Sequence, residues 1–102
     1  MGRREAYNRR SAPLESLARE YDAQASEILH GPDGPAVSEE ISGFAIGIAS
    51  AREGSEQNDQ IERLLNRLKL RKPGIFKNID EDPRERLAFT LSLVGTYQRS
   101  LQ

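Results

Sequence analysis

Apolar residues return every third or fourth position along most of this chain, a period that leaves little room for any architecture other than packed helices. The first stripe is Leu14, Leu17, Ala18, Tyr21, Ala25 and Ile28. It predicts one helix running to His30, with Pro13 in its first turn, Gly31 at its C-terminal cap and Pro32 preventing continuation. The run Gly31-Pro32-Asp33-Gly34-Pro35 reads as a loop, because it lacks two amide donors and favours turns. Ser38 then offers its hydroxyl to the free amides of a second helix, with Glu39 and Glu40 where the helix dipole favours negative charge.

The second helix carries two periods at once. Ile41, Phe44, Ala45 and Ile48 form a helical stripe, but Phe44, Ile46 and Ile48 also alternate with Ala45, Gly47 and Ala49 as a strand would. A lone strand has nothing to pair with, so residues 41–51 are expected to be helical. Gly43, Gly47 and Ala51 place a small residue at every fourth position, which lets another helix approach closely, within the chain in preference to a second copy.

Ile61, Leu64, Leu65 and Leu68 mark a third helix within residues 57–71, ended by Pro73-Gly74. Ile75, Phe76 and Ile79 belong to a linker expected to fold back onto the bundle. Asp82-Pro83-Arg84-Glu85 opens the last helix with a cap, a proline in the first turn and an acid at the third position. Its stripe, Leu87, Leu91, Val94 and Leu101, is widened by Phe89, Leu93 and Tyr97, which gives it a central or interfacial place. The expected fold is therefore all-α: a compact bundle of about four helices, a single domain over residues 11–102, preceded by a flexible basic arm at residues 1–10.

The formal net charge of −1 conceals opposite blocks. Residues 1–10 carry +3, residues 11–60 carry −8 and residues 61–77 carry +5. Such blocks attract a polyanion, another protein or each other. With 36% hydrophobic and 30% charged residues over 102 positions, the chain folds around a modest core, which makes association with a partner or a second copy plausible.

Several chemistries are disfavoured. The chain has no cysteine, hence no thiolate ligand, disulfide or thiol nucleophile. Its one histidine, His30, stands where a helix end favours a cation, so it reads as a capping residue. No glycine-rich phosphate loop occurs, and Asn78, Asp80 and Asp82 begin a calcium-loop pattern that Pro83 and Phe89 break. No acid and base pair is positioned for catalysis, and no cofactor or metal is implied. No segment approaches the roughly 18 apolar residues of a membrane span, and no apolar stretch follows the charged start, which fits a cytoplasmic address.

Two functional readings follow. The first is a non-catalytic regulatory or adaptor module for protein interaction, homodimeric, docking through Phe89, Leu93 and Tyr97 of the last helix with Gly43 and Gly47 and the basic side of the third helix. The alternative is a small nucleic-acid-binding regulator. Arg63, Arg67 and Arg71 stand at four-residue steps, Lys69 and Lys72 extend them, and Arg3, Arg4, Arg9 and Arg10 form the basic arm. The acidic 11–60 stretch and a pI near 5.9 favour the protein-interaction reading.

Overall fold

Pro13, with φ −59° and ψ 145°, is the last extended residue before the first helix, and from there the chain is helical between short turns. The computed structural model describes residues 11–50 and 55–101. Their elements are α1 (Leu14–Glu20), α2 (Asp22–Leu29), α3 (Gly34–Ser50), α4 (Ser55–Arg71), a 3-10 turn (Pro73–Phe76) and α5 (Pro83–Ser100). No strand occurs among the described residues, so the all-α expectation holds, and residues 41–50 are helical. Ala51 and the arm, with Arg3, Arg4, Arg9 and Arg10, lie outside the described residues.

The expected first helix is two. Tyr21 breaks it with φ −97° and ψ −1°, its amide turning back to the Ala18 carbonyl at 3.0 Å in a 3-10 closure. The break lets the Tyr21 side chain meet α5. Its hydroxyl donates to Glu85 Oε1 at 2.5 Å, and its ring lies edge-on to Phe89 with centroids 5.7 Å apart. No glycine or proline marks this break, and the apolar spacing runs through it unchanged, which is why periodicity alone predicts a single helix.

Between α2 and α3 the turn is shorter than expected. The Asp33 carbonyl already accepts from the Val37 amide at 3.0 Å, so α3 starts at Gly34, with Pro35 in the first turn where its missing donor costs nothing. A glycine is required at 34, because a Cβ there would stand 2.1 Å from the Leu29 carbonyl oxygen. Ser38 therefore lies inside the helix and caps nothing, and Glu39 and Glu40 sit along its side.

α5 is the central element, packed against α1, α2 and α4. Phe89 and Leu93 are fully buried, as are Val37 of α3 and Leu64 and Leu68 of α4. Ile75, Phe76 and Ile79 do fold back, and Phe76 meets Phe89 edge-on at 5.6 Å. Each fully buried aliphatic or aromatic side chain contributes about 1.5–3 kcal/mol. A second apolar cluster, Ala12, Leu17, Ala18 and Ala88, joins α1 to α5. Asp82 caps α5 by accepting from the Arg84 amide at 2.8 Å. Glu85 turns inward to Tyr21, where the sequence pattern had it facing the cap.

Candidate interaction surface

α3 and α4 form an antiparallel hairpin, fixed by side-chain contacts between them. Arg67 Nε donates to Glu40 Oε1 at 2.9 Å, and Arg71 Nη1 donates to Glu39 Oε1 at 2.8 Å and also to Glu40 Oε2. Lys72 pairs with Asp33 at 3.2 Å, and Gly47 admits the Gln60 amide group, whose oxygen would lie 3.0 Å from a Cβ at that glycine. Glu40 is 8% exposed. Burial pushes its carboxyl upward, but the hydrogen bonds and charges of Arg71 and Arg67 outweigh burial and hold it below its ordinary range. The Arg71 guanidinium is pushed up correspondingly by Glu40 and Glu39.

This geometry divides the basic residues of 61–77. Arg67, Arg71 and Lys72 lie against acids of the same chain. Arg63 and Lys69 are exposed and make no ion pair among the described residues. The acidic stretch thus meets the basic helix inside the molecule, one of the arrangements that opposite charge blocks allow.

The apolar residues expected to dock a partner divide as well. Phe89 and Leu93 have no exposed surface, so they are core rather than docking residues, and Tyr97 is half-buried against the same core. Neighbouring helices cover Phe89 and Leu93, which corrects the sequence expectation for those two residues, whereas Leu101 at the end of the same stripe stays 68% exposed. Gly43 and Gly47, one turn apart, face differently. Gly47 meets α4, while a Cβ at Gly43 would find nothing within 4 Å.

What remains outside is a surface that sequence reasoning missed. Ile46 is 84% exposed and Leu70 is 81% exposed. On α3, Glu39, Ser42, Gly43 and Ile46 share the side opposite the core residues Val37, Ile41 and Ile48. On α4, Glu56, Asp59, Arg63, Asn66 and Leu70 are exposed at alternating three- and four-residue steps, opposite Ile61, Leu64, Leu65 and Leu68. The hairpin therefore presents one two-helix outer face with an apolar residue on each helix. The signal was present in the sequence: Leu70 breaks the Leu64, Leu65, Leu68 stripe, and Ile46 stands off the Ile41, Phe44, Ile48 stripe.

A second feature is a groove of about 790 Å³ between α1, the start of α4 and α5, lined by Leu14, Ala18, Leu91 and Val94 below and Arg19, Gln57 and Gln98 at the rim. On one wall Ser92 donates to Asp22 at 2.5 Å, and Arg99 stands 3.6 Å from the same carboxylate. His30 closes α2, with Nδ1 2.8 Å from the Ser26 carbonyl, a contact that requires the proton on Nδ1. Among the described residues there is no group of three potential metal ligands, and no helix is long and apolar enough to cross a membrane. In comparisons with known proteins, no family model, curated protein or solved structure matches this chain.

Proposed function

We propose that this chain is a non-catalytic protein-interaction module whose docking surface is the outer face of the α3–α4 hairpin. The observation that carries this reading is the pair of large apolar side chains, Ile46 and Leu70, exposed on that face around a bare glycine, Gly43. A small domain with a fully occupied core gains nothing in folding from exposing them, whereas a partner that covers them gains their burial. Arg63 and Lys69 flank them and supply the charge that orients a partner. A regulatory or adaptor role inside the cytoplasm fits a module of this kind.

The test is a double substitution, Ile46→Asp with Leu70→Asp, followed by light scattering over a concentration series. Both side chains are exposed, so the melting temperature should stay within a few degrees of wild type while association is lost. A variant that associates as wild type does would remove this face from consideration.

The nucleic-acid reading has one observation in its favour, the freedom of Arg63 and Lys69 from acidic partners among the described residues. Against it stand Arg67, Arg71 and Lys72, already held by Glu40, Glu39 and Asp33. Binding to a mixed nucleic-acid pool that falls steeply with salt and disappears on Arg63→Glu would reverse the preference.

A further inference from the structure

α4 is divided by charge along the face it turns outward. Its exposed stripe begins with Glu56 and Asp59, passes through Arg63 and ends in Asn66 and Leu70. None of the charged three makes an ion pair among the described residues. A helix with acid at one end of a stripe and base further along complements itself when a copy is laid against it in the opposite direction.

The hairpin fixes where such a copy would sit. Glu40 lies level with Arg67, and Gly47 lies level with Gln60, so Ile46 of α3 stands beside Ile61 of α4. A two-fold axis crossing both helices at that level lies two residues from Asp59 on one side and two from Arg63 on the other. It sets Arg63 of one copy against Asp59 of the other, twice by symmetry, and Glu56 against Asn66. On α3 the same axis sets Ile46 against its own counterpart, with Gly43 one turn away leaving room for close approach. One operation thus places an exposed apolar residue at the centre and reciprocal opposite charges around it.

We propose that the outer face of the α3–α4 hairpin is a self-complementary interface for a second copy of this chain, antiparallel about a two-fold axis at the level of Ile46. The proposal rests on the reading that this face docks a protein, and it names the protein and the register. The face is one short hairpin, about 25 Å long, so the dimer is a weak one, with a Kd on the order of micromolar.

The test uses two complementary charge reversals. Arg63→Glu alone sets the introduced carboxylate against Asp59 of the second copy, acid on acid. Asp59→Arg alone sets the introduced guanidinium against Arg63 of the second copy, base on base. Each variant should dissociate at least roughly tenfold more readily than wild type in sedimentation equilibrium. Mixed in equal amounts, the two should form a heterodimer, in which the two introduced side chains face each other with opposite sign and Asp59 of one copy again faces Arg63 of the other. Asp59 and Arg63 are also four residues apart on one helix, but an effect confined to that intrahelical pair would not be relieved by mixing. A monomeric wild type at high micromolar concentration, or variants that stay apart when mixed, would overturn the proposal. If Ile46→Asp with Leu70→Asp abolishes association while neither charge reversal affects it, the docking face stands and this register fails.

Discussion

Replacing Glu40 with glutamine should cost the fold about 1–2 kcal/mol at neutral pH, and the size of that loss follows from where the charges sit. The carboxylate is nine-tenths buried and accepts from both Arg67 and Arg71. Hydrogen bonds to charged groups contribute about 1.5–3 kcal/mol each when shielded from water. Here the arginines are 56% and 42% exposed and can be solvated once the carboxylate is gone, which brings the pair well below that sum. In a domain of about 100 residues the loss corresponds to a fall in Tm of about 4–15 °C. The pH dependence carries the sharper signature. Because the folded carboxyl titrates below its ordinary value of 4.5, its stabilisation is complete above that pH and is lost as the pH falls through the depressed folded value. Urea unfolding of wild type and Glu40→Gln should therefore differ at pH 7 and converge as the pH falls below the depressed folded value, with equal m-values. Glu39→Gln, with its carboxylate 68% exposed, should change stability by no more than about 0.5 kcal/mol. Equal stabilities at pH 7, or a gap that does not narrow as the pH is lowered below 4.5, would refute the argument.

Two further substitutions test the architecture. Phe89→Ala should destabilise the domain by about 3–5 kcal/mol, seen as a large fall in the urea midpoint, because the ring is fully buried between Tyr21 and Phe76. Gly34→Ala should lower stability by about 2 kcal/mol or more, the strain of driving a methyl group into the Leu29 carbonyl, and thermal unfolding would show it.

The helices were legible where one physical signal acted alone. Asp82 followed by Pro83 identifies a helix start because both residues act within a single turn, and Ile61, Leu64, Leu65 and Leu68 identify α4 because one neighbour layer covers one face. The sequence misled where tertiary contacts overrode local preference. Tyr21 bends a helix that has no breaker, since bending brings its hydroxyl to Glu85. Ser38 resembles a cap, but Pro35 and the close approach of Gly34 to Leu29 start α3 a turn earlier.

The same limit governed the surface. A wide apolar stripe marks α5 as important, but the pattern is identical whether three helices or a second molecule cover it; Phe89 and Leu93 turn out to be covered by the chain itself. Ile46 and Leu70, each off its helix's stripe, are quieter in sequence and stand out once their neighbours are known to point inward. Likewise, the run of basic residues on α4 looks uniform until Glu40, Glu39 and Asp33 are seen to lie against three of them.

The outer face of the α3–α4 hairpin is most directly tested by hydroxyl-radical footprinting of the wild-type chain across a concentration series. Burial of that face on docking predicts protection of Ile46 that grows with concentration, while Leu14 and Leu91 in the α1–α5 groove remain as reactive as in the dilute chain. Constant reactivity at Ile46 with concentration-dependent protection in the groove would contradict the account and move the interaction surface to the other side of the molecule.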